Sequence, residues 1–319
     1  MVPRDRLEDA AGFDAAVLGR WGLARQAAAL LRPGLSWWFV APALALFGLV
    51  IVWPMVLGVG FAFTDWNGLD RTWRLVGVAN FRRIVGDRQV VSAIGTTLIL
   101  AGSLVVAKMV IGLALALALN TAIKTRNILR LIVFMPVVLT PVITSYVWKY
   151  IFSTEGAINR IADTLGIGFL HQGWLGSPRL ALLCVIIVTA WQSVGLAMVI
   201  FLAGLQAVPQ ELVEAATIDG ASRWQRLRLV VLPLLAPAIT VNVVLALVQG
   251  LKFFDQIYVL TAGGPGYATE TLSTIIYKTS FYYGEFGYGS AIALVFAVMV
   301  AVLVFSATHA LRRREIAHG

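Results

Sequence analysis

The chain has 319 residues, 59% of them apolar and only 13% charged, with a mean hydropathy of +0.84. Soluble domains carry roughly 25% charged residues, so a set of soluble domains is excluded and a polytopic membrane protein is implied. The net charge of +9 comes from basic residues beside and between apolar runs, a topology signal rather than a nucleic-acid footprint, and the single cysteine, Cys184, excludes an internal disulfide or a cysteine metal cluster.

In chain order, residues 1–36 are polar to amphipathic and form an expected N-terminal segment in the cytoplasm. Within it "AAVLGRWGLARQAAALLRP" (15–33) reads equally as a short interfacial helix and as a solvated tail. The first apolar run, Trp37 to Phe63, is too long for a cleaved signal and no small-residue cleavage site follows it, so it reads as a retained span. Six segments can cross about 30 Å of hydrocarbon as helices: 37–63, 91–119, 128–152, 180–204, 232–254 and 288–311. The expected fold is an all-α polytopic membrane protein with about six transmembrane helices over 37–311 and a basic tail at 312–319. No internal repeat is evident.

Lys and Arg set the orientation. With the N-terminus inside, the inner segments hold fourteen of them and the outer loops eight, which places both termini in the cytoplasm. The first outer loop dissents, with Arg71, Arg74, Arg82, Arg83 and Arg88. Pro42, Pro54, Pro136, Pro141, Pro233 and Pro237 fall within the spans and fit bent helices.

Between the fourth and fifth spans lies "ELVEAATIDGASRWQRLRLVVLP" (211–233), within a loop of about 205–231. Pro209 suits the first turn of a helix, and Glu211 and Glu214 then sit near its positive dipole end. Leu212, Ala215 and Ala216 share a small, flat face. Asp219-Gly220 signals a turn, and Ser222 is a natural N-cap for a second short helix whose stripe is Trp224, Leu227 and Val231. Pro233 opens the fifth span. The segment reads as helix, sharp turn, helix, along the membrane surface; two short helices with a small-residue face suit docking, and a solvated connector is the competing reading.

The spacing Glu214-Ala215-Ala216, three residues, Gly220, nine residues, Val230, one residue, Leu232-Pro233 resembles the "EAA" signature of binding-protein-dependent ABC importer permeases, with Val230 where Ile is usual. "MPVVLTPVITSYVWKYIFSTEGAINRIADTLG" (135–166), "FFDQIYVLTAGGPGYATETLSTIIYKTSF" (253–281), "FAFTDWN" (61–67) and "VGVANFRRI" (76–84) are similar to segments of its carbohydrate-uptake members. The resemblance runs from about residue 37 to 311 and is strongest to the first of two permeases in a sugar-type system; the region 64–90 is too short for the large extracytoplasmic insertion of the maltose system's larger permease.

The resemblance implies a type I ABC importer permease fold with a cytoplasmic coupling helix, in a bacterial plasma membrane. It implies a heterodimer with a second permease, two ATPase subunits, and an extracytoplasmic substrate-binding protein. Glu214 would pair with a basic ATPase residue, Ala215 and Ala216 would permit close approach, and Asp219-Gly220 would make the bend, with Leu232 and Pro233 closing the motif. No G-x-x-x-x-G-K-[ST] occurs, and "AGGPGYATE" (262–270) lacks its lysine, so ATP-Mg is expected on the partner ATPase and no cofactor on this chain. This chain is expected not to be an enzyme.

Polar groups inside spans are costly and mark candidate path residues. Trp191 and Gln192 lie in span four, Asn242 and Gln249 seven apart on span five, and Phe253, Asp255 and Tyr258 beyond its end. Rings with amides and a carboxylate suit a polyhydroxylated ligand; interhelical hydrogen bonding is the competing reading for each. Lys108 in span two either snorkels or pairs with a carboxylate of a neighbouring helix. His171, His309 and His318 carry no motif, and "GGPGYATE" is a tight turn that serves a gate, a binding-protein contact or the loop's own structure. An ion-gradient-driven secondary transporter is the alternative, and a polytopic enzyme a third; neither the acidic relay of the one nor the catalytic cluster of the other stands out. Related systems carry other polyols and glycerol phosphodiesters.

Overall fold

A computed structural model describes residues 33–121 and 123–316. The segment 15–33, apart from its last residue, and His318 lie outside the described residues. The chain divides at Gly60/Phe61 into two units. The first holds helix α1 (Trp38–Phe61), which carries a π-turn at Gly48–Val52. No residue of α1 from Gly48 onward is buried. A helix apolar on every side is a membrane span.

In the second unit, α2 (Ala79–Gly86) and Asp87 lead into α3 (Arg88–Leu119). The Asp87 carboxylate caps α3 by accepting from the Gln89 and Val90 amides. The next expected span is two helices, α4 (Arg126–Val138) and α5 (Pro141–Ile151), which meet at 100°. Leu139 and Thr140 are extended because a residue before proline is driven out of the helical region, and the Thr140 hydroxyl caps α5 through the Ile143 amide. The short α6 (Ala157–Thr164) precedes α7 (Pro178–Gln206), the most buried helix of the unit.

The loop helix α8 (Gln210–Ile218) is followed by α9 (Arg223–Leu234) and α10 (Ala236–Leu251), which meet at 69° around Leu235. The fifth expected span, opened by Pro233, is therefore bent at Leu235, where Pro237 cannot donate back into α9. Short α11 (Asp255–Leu260) and α12 (Leu272–Tyr277) lead to the long final helix α13 (Phe286–Ile316). The described helices supply four continuous spans and two bent ones.

The core forms around α7, which packs on α3, α4 and α10, while α10 also packs on α3 and α13. Close approach is made by small residues, as membrane helices require in the absence of a hydrophobic drive between them. A Cβ on Gly250 would stand 2.6 Å from Ala101 Cα, and one on Gly204 2.8 Å from Ala238 Cβ. Gly195 abuts the Val133 carbonyl so closely that α4 and α7 leave no room for a methyl group.

The two motifs of the first outer loop meet. Asn80 donates to the Ala62 and Thr64 carbonyls at 3.0 and 2.8 Å. Arg83 pairs with Glu285 at 2.8 Å and lies over the Tyr288 ring, whose hydroxyl donates to Asp87. One of the five dissenting arginines is thus already matched by a carboxylate.

Candidate functional site

The helix pair at 210–234 is built from local chemistry. Pro209 occupies the N-cap position of α8, one residue before the first turn expected for it. Its fixed φ suits either place, and α8 then starts at Gln210 with Glu211 against the positive helix end. At the other end, the Ala221 amide donates to the Ala216 carbonyl and the Gly220 amide to that of Thr217. This is a Schellman stop, and it needs a left-handed residue, which Gly220 supplies at φ +79°.

Ser222 then caps α9 in a full capping box: its hydroxyl accepts from the Gln225 amide, and the Gln225 side chain accepts from the Ser222 amide at 2.8 Å. Arg226 reaches back to the Thr217 hydroxyl and braces the two helices. The expected stripe holds only in part. Leu227 and Val231 are half-buried, but Trp224 is 65% exposed. A π-turn at Leu227–Val231 inserts extra rotation and takes Trp224 off the face of the later residues.

The site residues of this region separate into two groups. Ala215, Asp219 and Gly220 are exposed; Ala216, Leu232 and Pro233 are half-buried. Glu214 is exposed and lines a cleft of about 490 Å³ between α8, the ends of α3 and α7, and Val231. Outward-facing Leu212 and Ile218 are 47% and 86% exposed.

A second site lies among the spans. A cavity of about 480 Å³ is walled by α3, the α4–α5 bend, α7, α10 and the 252–256 segment. It collects four of the expected path residues: Gln192, Gln249, Phe253 and Asp255. Gln192 donates to the Leu139 carbonyl at 2.7 Å, satisfying a carbonyl freed by the bend, and accepts from Gln256 at 2.6 Å. Gln249 accepts from the Lys108 ammonium at 2.6 Å.

Three expected path residues fall elsewhere. Asn242 is buried and turned toward α7, its amide 3.4 Å from the Ala197 carbonyl. Trp191 packs edge-on against Trp148 and lines a separate apolar pocket between α3, α4 and α7. Tyr258 stacks on Phe254 and meets Tyr277. Helical spacing alone could not separate these from the wall, because the bends decide which faces converge.

Lys108 also corrects its expectation. It is 2% exposed, and its partner is the amide of Gln249 rather than a carboxylate or the interface. The sequence displays its charge inside an apolar run but not its direction. Ser193 and Gln256 line the same cavity and were not singled out.

The "GGPGYATE" turn is a closed structure of its own. Glu270, with a side chain 3% exposed, pairs with Lys278 at 2.7 Å, and Lys278 also donates to the Ala262 carbonyl. Gly263, at φ +88°, lies flat on the Glu270 carboxylate. His171 pairs with Asp163 on an exposed surface, and His309 stacks on Phe305. Among the described residues no group of His, Cys, Asp and Glu could hold a metal ion.

The comparisons agree with this architecture. Residues 108–316 match the family of binding-protein-dependent transport system inner membrane components. The multiple sugar-binding transport system permease protein of Streptococcus mutans is 37% identical over 84% of this chain and 92% of its own length. A probable permease of a starch degradation products transport system from Thermoanaerobacterium thermosulfurigenes is 34% identical over 88% of this chain and 94% of its own. A chain of a bacterial ABC transporter that imports the acidic polysaccharide alginate superposes with a TM-score of 0.77, at 26% identity, covering 91% of this chain and 99% of that one. An ion-gradient carrier working alone finds no support among these likenesses. The chain belongs to the binding-protein-dependent transport system inner membrane components and is a membrane-spanning permease of the ABC importer type.

Proposed function

We propose that this chain is the first of two permeases in an ATP-driven saccharide importer, and that α8 is the helix through which a separate ATPase moves it. The observation that carries the reading is the α8–α9 elbow. It is stiffened by a Schellman stop, a capping box and the Arg226–Thr217 brace, yet it leaves Leu212, Ile218 and Glu214 open to a partner. A stiff lever can transmit the closure of a motor, whereas a loose loop would absorb it.

In this reading Glu214 receives a basic residue of the ATPase, Ala215 and Ala216 allow its surface to come near, and Asp219-Gly220 holds the bend. Leu232 and Pro233 join the lever to the 69° bend, and so to α10 and the intramembrane cavity. ATP-Mg is bound and hydrolysed on the two ATPase chains. The saccharide arrives on an extracytoplasmic binding protein and passes through the cavity walled by Gln192, Gln249, Phe253 and Asp255. The elbow and both termini then face the cytoplasm, across the bacterial inner membrane. Support for the substrate class comes from the similar permeases, which belong to a multiple sugar-binding system and a starch degradation products system.

Reconstitution tests it. The chain alone in liposomes accumulates no sugar; with the second permease, ATPase and binding protein it does so only with ATP. Accumulation by the chain alone, or an elbow labelled from the outer face, overturns the reading.

A further inference from the structure

We propose that Lys108 makes the intramembrane cavity selective for saccharides that carry an acidic group. The inference rests on the reading of that cavity as the saccharide path. Its wall holds three ionisable side chains, Lys108, Lys252 and Asp255, and therefore one excess positive charge.

Two amides of the wall are tied to each other. Gln256 donates to Gln192, which in turn donates to the Leu139 carbonyl, so the pair holds the bend. Lys108 is the contrary case. Its ammonium has three donors, and the bond to Gln249 uses one of them; among the described residues no other acceptor and no ion pair meets it.

Its depth makes that unusual. Lys108 stands eleven residues before the end of α3 at Leu119, about 17 Å along the axis, and still further from its start at Arg88, so it lies well inside the apolar helix. At that depth the side chain cannot snorkel to an interface. A mere interhelical tie to Gln249 is available to a second amide at a lower insertion cost, so a cation is explained by a ligand that completes it.

The backbone fixes the residue. Lys108 opens a π-turn, Lys108–Gly112, a distortion frequent at functional points of helices and present elsewhere in this chain. The far end of that turn is pressed on α7, where a Cβ on Gly112 would stand 2.9 Å from Ala197 Cβ. Phe253 and Phe254 on the same wall offer rings to the apolar face of a sugar, and a carboxylate on that sugar would accept charge-assisted bonds from Lys108.

The test uses the complete importer in proteoliposomes with its binding protein. Matched neutral and uronic di- and trisaccharides of the glucose, galactose and mannose series serve as probes. Wild type takes up at least one uronic sugar in preference to its neutral match. Lys108→Met lowers uptake of that uronic sugar at least tenfold more than uptake of its neutral match, and Lys108→Arg restores most of the preference. Lys108→Gln, which keeps a donor to Gln249, serves as a second neutral variant should Lys108→Met fail to assemble, and it should behave as Lys108→Met does. Uptake of neutral sugars alone by wild type, or equal losses for both classes in the variants, overturns the inference while leaving the importer reading intact. No uptake of any probe by an assembled complex counts against the importer reading itself.

Discussion

Two tight turns in this chain use the same device to opposite ends. The elbow at 210–234 and the turn at 261–285 each place a glycine at positive φ, Gly220 at +79° and Gly263 at +88°. Around Gly263 the chain closes on itself, with a buried carboxylate, a lysine and a carbonyl in contact. Around Gly220 nothing stands within reach of an added Cβ, and the apolar residues nearby face outward. The first is a finished piece of structure, held by a pair whose carboxylate is sealed from water. The second is rigid within itself but unfinished on its surface, as a part built to be grasped should be.

Four substitutions probe that contrast. Glu270→Ala removes a buried carboxylate and leaves Lys278, a quarter exposed, with only the Ala262 carbonyl, which costs about 1–3 kcal/mol. It should lower the denaturation midpoint of the purified complex more than any change in the elbow; an unchanged midpoint would remove the distinction. Glu214→Lys should leave that midpoint intact and cut uptake by roughly thirty-fold or more, the equivalent of about 2–5 kcal/mol at a charged interface. Normal uptake in a correctly assembled Glu214→Lys complex counts against docking through α8. Gly220→Ala places a side chain in the left-handed region at about 1–2 kcal/mol, and should reduce uptake partially while sparing the fold. Ser222→Ala removes one cap, about 1 kcal/mol, and should give the smallest loss, read as a modest fall in coupled ATP hydrolysis.

The elbow was readable because its chemistry is local. Ser222, Gln225, Asp219 and Gly220 form caps and stops within a few residues of one another, so the order of residues nearly dictates the shape. The one local error, Trp224 off its stripe, came from a π-turn that keeps helical composition while changing the period. The cavity was half readable. Gln192, Gln249, Phe253 and Asp255, singled out as costly or aromatic groups, line it, while Trp191, Asn242 and Tyr258 met the same criterion and lie outside its wall.

By itself the sequence determined that the chain is helical and crosses a membrane about six times. Long apolar runs without charge leave no other way to satisfy the backbone. It also determined where the elbow bends, since caps and left-handed glycines act over three to five residues. Only the tertiary structure decided that two of the six crossings are broken, at 100° and 69°, that Lys108 turns to Gln249, and which amides meet across the cavity. Those outcomes depend on contacts between residues far apart in the chain, where glycines let helices touch and each bend resets which face a side chain presents.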